Sequence, residues 1–259
     1  MSIHPTAIID TRTEIGADVM IGPYCVVAAD VRIGNGTELG PYVSVQSHSV
    51  IGECCRFYGH SSIGTDPQDL RYKGELTRLQ IGDRNVFREF VSINRGSAHG
   101  GGITVIGNDG LFMAYSHVAH DGRIGNHVIF ANAATLAGHV TVSDHAQVGA
   151  FSAVHQFCRV GPHAFIGGFS VVTRDALPYI KTVGLRNEAN IYGINTIGLQ
   201  RKGIPEDSIE ELKKVYRILF RSQLNTGDAL AKIREVKWTA PEVAVLIEFI
   251  ESSERGFIR

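Results

Sequence analysis

The chain has 259 residues, room for one large domain or one plus a small appendage. Charged residues make up 20% and hydrophobic ones 44%, which excludes a disordered chain, and a net charge of -1 gives no global attraction to nucleic acid or an anionic membrane. Glycine stands at 29 and proline at only 8, so the chain is neither collagen-like nor a linker and is expected to turn many tight corners.

The N-terminal stretch MSIHPTAIIDTRTE lacks a basic region followed by a long apolar one, and no apolar run approaches the length of a membrane span. A cytoplasmic protein without a membrane span is expected. From Ile3 onward, every sixth residue is apolar: Ile3, Ile9, Ile15, Ile21, Val27, Ile33, Leu39, Val45, Ile51, Phe57 and Ile63. The register returns at Ile81, Phe87 and Ile93. It starts again at Ile106 and runs through Phe112, Val118, Ile124, Phe130, Leu136, Val142, Val148, Val154, Val160 and Ile166 to Val172. Two residues before each member stands a small or β-branched one, such as Val19, Cys25, Val31 and Thr37, or later Ala134, Val140, Ala146 and Ser152. Residues i-2 and i share a strand face, so a large and a small side chain point inward together. A helix of 3.6 residues per turn cannot keep a six-residue column aligned this long. Short strands with a corner every six residues can, and three of them close a coil of 18 residues in a solenoid that needs capped ends.

The period breaks at 64–80 (GTDPQDLRYKGELTRLQ) and at 97–102 (SAHGGG), and insertions in a solenoid emerge as loops, often on the binding side. Cys25, Cys54, Cys55 and Cys158 have no metal-type spacing, and adjacent Cys54 and Cys55 would pair poorly, so reduced thiols are expected. Beyond Val172 the pattern changes. Residues 187–203 read as a mixed connector. Ile204-Pro205-Glu206-Asp207 opens a helix with Leu212, Val215, Tyr216, Leu219 and Phe220 on one face. Thr226 and Thr239 are candidate caps of two more helices. The expected division is a β-solenoid over 1–190 and a helical domain over 191–259 that covers the solenoid's open end.

Residues 18 apart lie on adjacent coils, roughly 4.8 Å from each other. This stacks His120, Gly138 and Gln156; Asp121, His139 and Phe157; and Ala119, Ala137 and His155, with His117 on the same strand. Three distant segments converge on one patch. An imidazole is the side chain suited to accept a proton at physiological pH, which makes His120 a candidate base, with adjacent Asp121 to orient it. Gly138 exposes an N–H with no side chain in front of it, as an oxyanion donor requires. His155 and Gln156 supply further donors. No serine or cysteine stands beside His120, which favours direct acyl transfer over a covalent enzyme intermediate. A competing column, His127, His145 and His163, offers imidazoles to a metal, but each follows a corner residue (Asn126, Asp144 or Pro162) and the three fall on a line rather than around a point.

The segments SIGTDPQDLRYKGELTRLQIGDRN, SHVAHD, ANAATLAGHV, AVHQFCRVG and INTIGLQRKG resemble the UDP-N-acetylglucosamine O-acyltransferases of lipid A biosynthesis, over nearly the whole chain. The resemblance implies an all-β left-handed parallel β-helix of hexapeptide repeats with a small C-terminal helical domain. It implies transfer of a 3-hydroxyacyl group from acyl carrier protein to the 3-hydroxyl of UDP-N-acetylglucosamine, with no metal and no cofactor. His120 would be the general base, Asp121 its support and the Gly138 N–H the oxyanion donor. Gln68, Asp69 and Arg71 would reach substrates from the first loop, His117, His139, His155 and Gln156 would line the site, and Asn195 and Arg201 would reach nucleotide. The implied assembly is a homotrimer with sites between subunits.

Three positions depart from the family pattern: Arg71 stands where lysine is common, Ile197 where some members carry glutamate, and Asn94 where some carry histidine. The 3-amino analogue of the sugar nucleotide therefore stays open as acceptor. So do a trimeric metalloenzyme resembling γ-carbonic anhydrase, motivated by the histidine column, and a non-catalytic scaffold. Gly168 is expected to leave the acyl groove open for a long chain. Lys202, Lys214, Arg217 and Arg221 are expected to form a basic face for the acidic carrier protein.

Overall fold

The computed structural model describes residues 1–259. Strands of mostly two residues build three walls of 11, 9 and 8 strands, parallel throughout except for one terminal pair. Ile21 pairs with Leu39, Val27 with Val45 and Ile33 with Ile51, which is the 18-residue coil of a left-handed parallel β-helix. Ile51 then pairs with Ile81, and Ile81 with Ile106, so the first break adds twelve residues to its coil and the second adds seven. Strands Ser62–Thr65 and Arg78–Ile81 trim the first loop to 66–77, and the second folds as a single 3-10 turn, Ala98–Gly100.

Both inward columns fill one continuous core from Val19 to Ala176. Phe57, Phe87, Phe112 and Phe130 stack along it at 4.6, 4.7 and 4.9 Å between ring centroids. Removing one such ring, as in Phe87→Ala, costs about 3–5 kcal/mol. The column fails only at its first members. Ile3 is 39% exposed, and Ile9 and Ile15 are half-buried, because no coil lies beneath them.

The corners correct the expectation drawn from glycine content. The residue that turns a corner takes φ near +60°, yet apart from Gly36 it is a residue such as Tyr24, Tyr42, His60, Asp109, His127 or Phe151 rather than glycine. Glycine instead follows the large inward residue, where coils approach most closely. A Cβ on Gly34 would lie 2.5 Å from the carbonyl carbon of Gly52 on the next coil, closer than packed atoms allow.

At the C-terminal end, Ile180–Val183 extends the first wall and Asn190–Ile194 pairs with it antiparallel, so the expected connector is partly a hairpin. Four helices follow: α1 (Thr196–Arg201), α2 (Glu206–Arg221), α3 (Thr226–Arg234) and α4 (Pro241–Glu251). The first falls within the connector and was not expected. The caps sit one residue from the expected threonines. Asn225 accepts from the Asp228 N–H at 2.9 Å and caps α3, while α4 starts after Ala240, with Thr239 bonded to Glu211 instead. The two cores meet at Ala176 and Leu177, and Ile258 returns to the solenoid core. Arg159 fastens the lid: it pairs with buried Asp175 at 2.9 Å, donates to the Phe249 carbonyl at 3.0 Å and lies over the Phe249 ring.

Candidate active site

Strand pairing places His117 beside Thr135 and Thr135 beside Ala153, so the expected stacking of the three site segments holds in register. The His139 N–H donates to the His120 carbonyl, and the Phe157 N–H to the Gly138 carbonyl. His120 is 8% exposed and Asp121 5%. Nδ1 of His120 lies 2.7 Å from Oδ2 of Asp121. An ionised carboxylate only accepts, so Nδ1 carries the proton and Nε2 keeps a lone pair. Asp121 is itself fixed: Oδ1 accepts the Ser97 N–H at 2.8 Å, Oδ2 accepts the Ser97 hydroxyl at 2.6 Å, and its own N–H donates to Thr104 Oγ1 at 2.8 Å.

The His120 ring occupies the space a side chain at 138 would fill. A Cβ on Gly138 would stand 2.5 Å from Cε1 and 2.7 Å from Nε2 of His120. The Ala137 and His139 N–H groups are bonded within the solenoid, to Val154 and His120, whereas the Gly138 N–H makes no backbone bond. A free donor thus stands next to a free base, the arrangement acyl transfer needs.

A cavity of about 490 Å³ opens over this pair, lined by Gln68, His117, Thr135, His155, Gln156, Thr173 and Arg186 among others. Burial pushes the imidazoles of His117 and His139 down, which holds them neutral as hydrogen-bond partners rather than cations. His117 shares a 2.8 Å hydrogen bond with the Ser92 hydroxyl, and His139 stacks on Phe157 at 4.4 Å. Asp69 and Arg71 hold each other in a two-pronged pair, with contacts of 3.1 and 2.7 Å, and the guanidinium keeps the Asp69 carboxyl well below the usual carboxylate range. A larger cavity of about 650 Å³, lined by Ser2, Met20, Glu38 and Arg56, lies on the first coils; its charged pair is Arg56 with Glu38 at 2.8 Å, with no histidine joined to a carboxylate.

Other expected residues stand elsewhere on the chain. Asn195 stands at the N-cap position of α1 without a side-chain capping bond and donates instead to the His163 carbonyl at 3.2 Å, which puts it at the corner of the histidine column, apart from the His120 cavity, while Arg201 ends the same helix. Ile197 lies exposed on the same helix. Asn94 is 1% exposed and donates to Thr65 and the Asp66 carbonyl, so it braces the first loop rather than facing the cavity. Gly168 is exposed, and a Cβ there would meet nothing nearer than 3.4 Å. Lys202, Lys214, Arg217 and Arg221 are all exposed.

The column His127, His145 and His163 stacks face to face at 4.7 and 4.6 Å. Ring lone pairs lie in the ring planes, so these nitrogens do not aim at one ion. His120, Asp121 and His139 do bring ligand atoms within 4.8 Å of one another. There, however, both Asp121 oxygens already accept hydrogen bonds, which suits an oriented base better than a metal shell.

Ser97, Thr104, Ser92, Thr173 and Arg186 were not foreseen. The second insertion adds seven residues, so Ser92 faces His117 at a separation of 25, outside an 18-residue reading.

A left-handed β-helix carrying a histidine–aspartate pair beside an unbonded glycine N–H defines an acyltransferase of the hexapeptide-repeat class. The family model for UDP N-acetylglucosamine O-acyltransferase, domain 2, matches residues 175–258, and the bacterial transferase hexapeptide model matches 12–45. The acyl-[acyl-carrier-protein]–UDP-N-acetylglucosamine O-acyltransferase of Stenotrophomonas maltophilia is 45% identical over 99% of this chain and 97% of its own length. The enzyme of that name from Thermodesulfovibrio yellowstonii is 47% identical over 99% of each chain. The structure of UDP-N-acetylglucosamine O-acyltransferase from Moraxella catarrhalis superposes with a TM-score of 0.95 at 40% identity, covering 100% of both chains. The chain belongs to the acyl-[acyl-carrier-protein]–UDP-N-acetylglucosamine O-acyltransferase family.

Proposed function

We propose that the enzyme transfers a 3-hydroxyacyl group from acyl carrier protein to the 3-hydroxyl of UDP-N-acetylglucosamine, the first step of lipid A biosynthesis, in the cytoplasm. The observation that carries this reading is the pairing of a base with a free donor: His120 with its Nε2 lone pair, against the Gly138 N–H. Nε2 takes the proton of the sugar hydroxyl as its oxygen attacks the thioester carbon. The Gly138 N–H holds the oxyanion, and Asp121 stabilises the imidazolium. The C–S bond then breaks, and the carrier's sulfur leaves with the proton returned from His120. Gln68, Asp69, Arg71, His117, His139, His155 and Gln156 position the two substrates. Neither metal nor cofactor enters the steps.

The active assembly is a homotrimer. Asn195 sits at another corner of the prism from His120, and Arg201 ends the helix that Asn195 begins, so a neighbouring solenoid is what brings them to the nucleotide. Gly168 leaves the far end of the acyl groove open, and Lys202, Lys214, Arg217 and Arg221 receive the carrier.

An acyl-transfer assay with carrier thioesters of graded length, against UDP-N-acetylglucosamine and its 3-amino analogue, tests the reading. His120→Ala is expected to lower kcat by about 10²–10⁴-fold while the protein stays folded. A variant retaining half of the wild-type rate, or transfer to the amino sugar alone, refutes it.

A further inference from the structure

The carboxylate of Asp121 has two imidazoles within reach, and only one of them is its partner. Oδ2 lies 2.7 Å from Nδ1 of His120 and 3.7 Å from Nδ1 of His139, the second too long for a hydrogen bond. The two rings meet edge to face, with centroids 5.1 Å apart. The steps above need the carboxylate on His120. Ser97, 2% exposed, is placed to keep it there. Its N–H donates to Oδ1 at 2.8 Å and its hydroxyl to Oδ2 at 2.6 Å. A carboxylate oxygen has two lone pairs. On Oδ2 the Ser97 hydroxyl takes one and the His120 N–H the other, which leaves none for His139. Ser97 is held in turn, because its carbonyl accepts the Gly100 and Gly102 N–H groups at 3.1 and 2.9 Å.

We propose that Ser97 is a positioning residue that commits Asp121 to His120 and denies it to His139, an inference that rests on the acyl-transfer reading. Ser97→Ala removes only the hydroxyl. The N–H stays on Oδ1, so the carboxylate stays in its pocket. One lone pair of Oδ2 is freed, and His139 needs to close by only about 1 Å to use it. Burial holds the His139 imidazole down and Asp121 is the largest pull upward, with His120 and Arg71 lowering it further and Asp69 opposing them. On its outer side His139 shares a cavity with Arg159, Asp175, Glu254 and Arg255, where Arg159 is already paired with Asp175. A new hydrogen bond to Asp121 adds to the upward pull, so His139 takes a proton at higher pH. Once charged, it competes for the carboxylate that orients the base and repels the imidazolium that forms on His120 during transfer.

The test follows wild type, Ser97→Ala and Ser97→Thr by two readouts, with a thermal melt to establish folding. One is kcat against pH, with KM for both substrates. The other is the titration of the imidazole resonances of isotope-labelled histidine without substrate, the His139 signal being assigned by its loss in His139→Gln. Ser97→Ala should lower kcat roughly 10-fold with both KM values within about twofold, and move the acid limb of the profile to higher pH. It should also raise the titration midpoint of His139. Threonine keeps a hydroxyl and should restore all three. A folded Ser97→Ala protein whose pH profile and His139 midpoint match wild type overturns the assignment, whatever its rate. So does a folded threonine variant no closer to wild type than alanine. A wild type that transfers from no carrier thioester overturns the acyl-transfer reading instead, and the resonances alone then decide whether Ser97 keeps Asp121 from His139.

Discussion

Gly138→Ala isolates the geometry of the base from its chemistry. Alanine keeps the N–H that holds the oxyanion and leaves His120 and Asp121 in place. The added Cβ would lie 2.5 Å from Cε1 and 2.7 Å from Nε2 of His120. Carbon pairs settle at about 3.5–4.0 Å, so the ring must retreat by about 1 Å. Its path back is restricted by the 2.7 Å bond to Asp121, whose oxygens Ser97 also holds. The imidazole must swing out of line with its acceptor or break that bond. A displacement of this size costs about 10²-fold in rate, and it should appear in kcat rather than in KM for either substrate. Steady-state kinetics on purified protein, with a thermal melt to establish folding, measure it. A folded Gly138→Ala enzyme within threefold of wild-type kcat would refute the reasoning, because His120 would then not need the space glycine leaves.

Gly168→Met should shift preference toward shorter acyl donors without abolishing activity, because the position is exposed and a Cβ there meets nothing closer than 3.4 Å; an unchanged length profile in competition assays removes Gly168 from the groove. Reversing Arg217 and Arg221 to glutamate should raise KM for the carrier thioester at low salt and flatten its salt dependence, and an unchanged KM dismisses α2 as the docking face. Burial pushes His163 down to about 4, so between the unfolded value near 6.5 and that value the unfolded chain binds a proton the native one refuses. Stability should therefore fall as pH drops through that window, and His163→Phe should remove that share of the loss in denaturant titrations; equal slopes for the two proteins would contradict the assignment.

The parts of the fold most legible in the sequence were those the period dictates. A column such as Val128, Ala134 and Val140 can be read along the chain because each coil repeats the same pair of inward positions. The stacking of His120, Gly138 and Gln156 followed, since no insertion lies between residues 106 and 172. Where the period breaks, the reading loses its ruler. Ser97 and Ser92 reach Asp121 and His117 across the seven-residue insertion, and counting by 18 misses both. Thr104 was visible as a small inward residue, but its bond to the Asp121 N–H depends on a corner that only the folded chain forms. Helix α1 is six residues long, too short for amphipathic spacing to show. Arg186 sits on a hairpin turn, where no periodicity points to a cavity.

The two histidine corners show why the insertions matter to chemistry. At His127, His145 and His163 the repeat is uninterrupted, and the rings stack into a column whose faces satisfy one another. At the other corner the same stacking continues through Phe157 and His139 and then stops, because Asp121 stands where the next ring would be. A bare corner would leave that carboxylate in water, where it orients nothing. The segment 97–100 covers it. A Cβ on Gly100 would collide with the Asp121 carboxyl, and Ser97 supplies two donors to its oxygens. Desolvated and immobile, Asp121 then fixes the tautomer of His120, and glycine at 138 on the next coil gives the ring its place. The repeat supplies a rigid wall with residues at fixed heights, and the break in the repeat supplies the dry pocket in which one histidine becomes a base.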